Sequence, residues 1–169
     1  MDNERVREIC LALSNVVETL NWGHVLCYWA GDRELGGKMF AVTPLDGNWD
    51  GRPGPVLSFH CGAERFHELL EREGMIPAPH LARAYWVAME RWDVLRPREV
   101  AEELRLARDL IYEKLPKRTK AVLTLPEKER AKVIRERKKL VARREKTGRG
   151  IGKVGKGAAK GAKVRAEKG

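Results

Sequence analysis

The charge along this chain changes character near residue 126, and that change decides where a fold can be built. Residues 1–126 hold 17 Lys and Arg against 19 Asp and Glu, a net charge of −2. Residues 127–169 hold 17 against 5, a net charge of +12. The total of +10 over 169 residues therefore describes the end of the chain and not its body. From 127 to 146 the apolar residues Val133, Ile134, Leu140 and Val141 are too sparse to line a core face. Beyond them Gly, Ala and Lys alternate without an aromatic residue. The core must come from the first 126 residues, a length that suits one domain.

Several classes of protein are excluded at once. The longest apolar run, Val25–Ala30, is far short of the roughly 20 residues that a membrane helix needs. The opening Met1-Asp2-Asn3-Glu4-Arg5-Val6-Arg7-Glu8 mixes both charge signs without an apolar stretch, so no secretory leader is expected. The three cysteines, Cys10, Cys27 and Cys61, are widely spaced and form no C-x-x-C. Reduced core thiols in a cytoplasmic protein are the expectation.

Hydrophobic spacing gives the elements. Val6, Ile9, Cys10 and Leu13 recur at helical intervals over residues 4–14, and the period can be carried on through Val16, Val17 and Leu20 to a break at Trp22-Gly23. His24–Ala30 and Lys38–Thr43 read as a hairpin around the turn residues 31–36. A loop follows from Pro44 to Pro55; its Trp49 is expected to fold back on the core. Val56–Cys61 is a third strand, with Leu57 and Phe59 on one face and Ser58 and His60 on the other. Ala63–Glu73 is a short helix with Gly74 at its C-cap. Residues 76–80 form an extended connector. Ala84–Trp92 is a fourth strand, in which Trp86 faces the core with Ala84 and Ala88 while Tyr85 faces out. Pro97 opens a helix that carries Val100, Leu104, Ala107, Ile111 and Leu115 to a stop at Pro116. The order α-β-β-β-α-β-α with short hairpins predicts an α+β domain, an antiparallel sheet of about four strands with N-terminal and C-terminal helices packed on it. The domain is expected over 1–120. A linker and a basic solvated helix should follow over 121–146, with a capping box at Thr124-Leu125-Pro126-Glu127, then a disordered tail over 147–169.

No constellation of catalysis emerges. His24/Cys27 and His60/Cys61 sit on opposite faces of their strands by alternation, so neither pair has metal-ligand geometry, and no metal or cofactor is expected. Ser58 and His60 share a strand face, which alternation alone produces. There is no G-x-S-x-G, and Gly36-Gly37-Lys38 lacks the spacing of a phosphate-binding loop. The paired glycines read as hairpin geometry. The chain is not expected to be an enzyme.

The tail carries the strongest physical signal. Cations spread through Gly and Ala neutralise phosphates and release counterions, which makes binding sequence-blind and salt-sensitive. No apolar face is available for a membrane surface. The nucleic-acid contacts expected are Lys38 and Arg83 in the domain, Lys117, Arg118 and Lys120 as a bridge, and Arg135, Arg137, Lys138, Lys139, Arg143 and Arg144 in the densest cluster. His60, His80 and Tyr85 could form a ligand face.

The ordered fragments of residues 1–120 resemble the MmcQ/YjbR family, small bacterial proteins with an α+β fold described as a double-wing DNA-binding motif. The matching stretches are Val6–Ser14, Trp22-Gly23, Gly37-Lys38-Met39-Phe40-Ala41, Leu57-Ser58-Phe59-His60-Cys61, Pro79-His80, Tyr85-Trp86-Val87 and Lys114-Leu115-Pro116-Lys117. The basic tail lies outside the resemblance, which implies a DNA-binding role for the domain. The expected function is that of a non-enzymatic, cytoplasmic and nucleoid-associated protein that binds nucleic acid, DNA in preference to RNA, mainly through its tail. The alternative is a small-ligand- or protein-binding module whose tail only localises it.

Overall fold

A computed structural model of the chain describes residues 1–49 and 52–148, and the side chains of residues up to 143. The Gly/Ala/Lys segment from 149 onward lies outside the described residues, as does the Arg144 side chain.

The first helix, α1 (Asn3–Ala12), starts where the Asp2 side chain accepts the Arg5 amide. It stops at Leu13, earlier than its apolar period allows, because Asn15 turns the chain with φ 59. Val16 to Leu20 are therefore not helical. They belong to the strand β1 (Val16–Asn21), where the β-branched Val16, Val17 and Thr19 are better placed. An Arg7–Glu18 ion pair, with contacts of 2.7 and 2.8 Å, ties α1 to β1 and holds the Glu18 carboxyl below its ordinary range.

Strands β2 (Val25–Ala30) and β3 (Lys38–Pro44) pair around the single-turn 3-10 helix Arg33–Leu35. A bulge opposite Tyr28 and Trp29 gives β3 one extra residue, and Phe40 and Ala41 both enter the same core cluster. The loop 44–55 holds two short paired strands, β4 (Asn48–Trp49) and β5 (Arg52–Pro53). Trp49 does fold back, and its indole N–H donates to the Pro55 carbonyl at 2.9 Å.

Strand β6 (Leu57–His60) leads into α2 (Gly62–Leu70). Gly74 follows that helix by four residues, so it turns the chain into β7 (Met75–Pro77) and does not cap α2. Ile76 and Pro77 of the expected extended connector 76–80 are thus part of an edge strand, while Pro79 and His80 form a turn. Strand β8 (Trp86–Met89) is shorter than the expected Ala84–Trp92. Ala84 ends a 3-10 turn and Tyr85 takes φ 60, so Ala84 is not a face-mate of Trp86. Trp86 is buried and Tyr85 exposed, as alternation required.

The sheet has six strands in the order β1-β2-β3-β6-β8-β7, all antiparallel, against an expectation of about four. The two additional strands are its edges. Helix α3 (Pro97–Glu113) packs Val100, Leu104, Ala107 and Ile111 onto one face, together with Val6 and Cys10 of α1 and Leu69 of α2. Arg65 and the buried Glu103 join α2 to α3 at 2.6 Å.

Pro116 ends that helix but also starts a new one, α4 (Lys117–Leu123), which buries Thr119 and Leu123. The predicted capping box does not form. Thr124 is the C-cap of α4, and its hydroxyl donates backward to the Ala121 carbonyl at 2.8 Å. The basic helix α5 (Glu127–Gly148) is not solvated all round. Its Arg130 donates to Asn15 at 2.9 Å and its Lys138 lies 3.7 Å from Asp32. Val133, Ile134 and Val141 are half-buried on the same side. Among the described residues no helix is long and apolar enough to cross a membrane.

Candidate nucleic-acid interface and sheet cavity

Two neighbouring positive regions form around the β2–β3 turn. The first is a groove of about 400 Å³ between that turn, α4 and α5. Arg33, Arg118 and Arg137 line it, with Glu34 as its one acid. Asp32 organises this junction. One carboxylate oxygen accepts the Glu34 amide at 2.8 Å, and the other faces Lys138. The Thr119 hydroxyl donates to the Leu35 carbonyl at 2.6 Å, which seats α4 against the same turn.

The outer side of α5 continues the positive surface. Lys128, Lys132, Arg135 and Lys139 follow at i, i+4, i+7 and i+11, one line along a helix. That line is opposite the docked line through Arg130, Ile134, Arg137 and Val141. All four outer residues are exposed, and none has an ion pair among the described residues. Arg143 is exposed nearby.

The second region is the end of the sheet where β3 begins and β6 ends. The Lys38 ammonium reaches the Lys114 carbonyl at 3.5 Å, and the Lys114 ammonium lies 3.3 Å from His60 Nε2. His60 is 5% exposed and meets Trp86 edge-on at 6.3 Å between ring centroids. Burial first, and the Lys114 charge second, push its pKa down to about 4. A neutral imidazole accepts from Lys114 at Nε2, so the proton sits on Nδ1, where no partner is found. Ser58, 1% exposed, also lacks a partner for its hydroxyl. Burial pushes the Cys27 and Cys61 thiols up to about 11, and it raises Cys10 further. These are protonated core groups at neutral pH.

The remaining expected residues are dispersed. Lys120 is held by Glu113 at 3.0 Å and lies over the Tyr112 ring. Lys117 is exposed at the start of α4. Arg83 and Tyr85 occupy the turn before β8, and Tyr85 packs edge-on against Phe66 at 5.9 Å. His80 is exposed while His60 is buried, and the two do not line one cavity. No group of three or more potential metal ligands converges among the described residues.

Sequence reasoning missed the second face of the sheet. Val25, Cys27, Val42, Trp86 and Ala88 form an apolar cluster there, with Trp49 and Leu81 packed against it. A cavity of about 280 Å³ opens on it. Val25 and Val42 lie beneath, Met39, Trp49 and Leu81 at the sides, and Trp22, His24 and His80 around the mouth. Trp22 and His80 have φ 52 and φ 62, a backbone region that costs a non-glycine residue about 1 kcal/mol or more. The signal available in sequence was the Trp22-Gly23 pair, which reads as a break but not as a cavity wall.

A six-stranded antiparallel sheet with helices on one face and strand-turn segments on the other defines the domain as α+β. A YjbR family model matches residues 11–110, and the chain belongs to the YjbR family. Its fold is similar to the crystal structure of Deinococcus radiodurans protein DR2400, a DUF419 domain, with a TM-score of 0.60 and 23% identity. That likeness covers 75% of this chain and 90% of the other, and it is a likeness of fold. No curated protein matches the chain.

Proposed function

We propose that this is a non-enzymatic, cytoplasmic and nucleoid-associated protein that binds DNA through α5 and the basic tail, with the YjbR domain as their platform. The observation that carries the reading is the unpaired line Lys128, Lys132, Arg135 and Lys139 on the side of α5 away from the domain. A cation already paired must give up its partner before it can meet a phosphate. These four have none to give up among the described residues, and docking through Arg130 and Lys138 holds them on a fixed surface. The groove lined by Arg33, Arg118 and Arg137 continues that surface onto the domain. Each phosphate neutralised on duplex DNA adds about 0.9 to the slope of log affinity against log salt.

The test is a salt titration of binding to a duplex of arbitrary sequence. The intact chain should give a steep slope. Replacing Lys128, Lys132, Arg135 and Lys139 together by Gln should lower the slope by about 3 to 4. A chain ending at Leu125 should lose most of the slope and about 100-fold or more in affinity at 100 mM salt. Equal slopes for the intact chain and the fourfold variant would sink the role of α5. Equal binding by the shortened chain would sink the whole reading. A matched RNA duplex separates DNA preference from simple polyanion binding.

A further inference from the structure

We propose that the cavity on the second face of the sheet binds a small planar aromatic molecule that carries a hydrogen-bond acceptor on one edge. This does not rest on the nucleic-acid reading, because it concerns a different surface with different chemistry.

The wall chemistry selects the class. The cavity holds about 280 Å³ and its lining includes two indoles, a thioether and branched aliphatic groups. Flat rings stack on indole faces and make favourable contacts with methionine sulfur. No Lys, Arg, Asp or Glu lines the space. A nucleotide or a phosphorylated ligand would leave its charge uncompensated there. A peptide segment would bring backbone amides to walls that offer almost no partners. The polar groups that remain are the imidazoles of His24 and His80. His24 is half-buried at the mouth, and a neutral imidazole always carries one N–H that can donate. An uncharged acceptor on the ligand edge, such as a carbonyl oxygen, satisfies that donor while the ring stays in the apolar part.

The backbone at the mouth gives a second, independent reason. Trp22 and His80 are two of four described non-glycine residues with positive φ, and both line this one cavity. Strain of that kind collects at ligand clamps and functional sites. Trp22 is also 67% exposed, the most exposed large hydrophobic residue among those described. Folding of the domain does not bury its indole; a ligand in the cavity would.

The experiment is an NMR titration of the intact, nitrogen-15-labelled chain with two uncharged probes of similar size, ethylbenzene and acetophenone, of which only the second carries an acceptor. Both should shift the indole N–H signals of Trp22 and Trp49 saturably, with acetophenone binding at least about threefold more tightly. Trp22→Ala changes an exposed side chain and should weaken binding about tenfold or more, at an unchanged melting temperature. Leu81→Trp fills the cavity from its side and should abolish the shifts. If Leu81→Trp fails to fold, Trp22→Ala still decides the matter. Absence of saturation up to about 1 mM overturns the proposal, as does undiminished binding by Trp22→Ala. Equal affinity for the two probes overturns the acceptor edge.

Discussion

Gly37→Ala should destabilise the domain by about 3 kcal/mol or more in urea or thermal unfolding. A Cβ on Gly37 would stand 2.1 Å from the Gly31 carbonyl oxygen and 2.8 Å from that of Asp32. Neither is the end of a flexible side chain. Gly31 is anchored by its own amide, which donates to Asn15 at 2.7 Å, and Asp32 accepts the Gly37 amide at 2.9 Å. To admit the methyl group the β2–β3 turn must open. That turn also carries the Leu35 carbonyl bonded to Thr119 and the Asp32 carboxylate facing Lys138, so opening it loosens the seats of α4 and α5 together. The neighbouring Gly36 is the control. It has φ 87, and its added Cβ would meet only Thr119 Oγ1, at 3.4 Å. Gly36→Ala should therefore cost about 1–2 kcal/mol, the ordinary penalty of a left-handed alanine. If the two substitutions cost the same, the close approach of backbone at Gly37 is not real.

That pair of glycines illustrates what the sequence could and could not disclose. Gly36-Gly37 announces a hairpin, and the hairpin is there. The reason for the second glycine is different, since it yields to a carbonyl contributed from across the turn. Local pattern located β3, β6 and α3 well, because Lys38–Thr43 and Val56–Cys61 have strand composition and Pro97 opens a strongly periodic helix. It failed at the sheet edges. Val16–Leu20 satisfies a helical period, and only the left-handed turn at Asn15 together with pairing to β2 turns it into a strand. Residues 75–77 hold Met, Ile and Pro, too short a run to be read alone, and become a strand by pairing with β8.

The candidate surfaces divide in the same way. The positive line on α5 was legible in part: Arg135 and Lys139 fall in the dense cationic cluster, whereas Lys128 and Lys132 stand apart from it along the chain and join the line only by helix period. The attachment of that helix was not legible. Arg130 to Asn15 spans 115 residues and Lys138 to Asp32 spans 106, and each is one polar contact with no periodic signature. The cavity was illegible for a further reason. Its walls come from four separate segments, and its mouth depends on positive φ at Trp22 and His80, which residue identity does not announce.

Acid should destabilise this domain through His60 before carboxylates account for the loss. Its folded pKa of about 4 lies below the 6.5 of a free histidine. Between those values the unfolded chain binds a proton that the folded chain refuses, so stability rises with pH across the window. The contribution is full above about pH 6.5 and is lost as pH falls toward 4, on the order of 3 kcal/mol in all. His60→Gln keeps an acceptor for Lys114 and removes the titration. The gap between wild type and variant should therefore change by about that amount from pH 7 to pH 4 in urea unfolding. Lys114→Met separates the two causes. Burial is the larger, so most of the acid sensitivity should survive loss of the lysine. If Lys114→Met abolishes it, charge repulsion dominates and the imidazole is less dry than its 5% exposure implies. If His60→Gln and wild type lose stability in parallel, His60 titrates near its ordinary value. The imidazole would then be open to water, as the exposed Lys38 and Lys114 beside it already are.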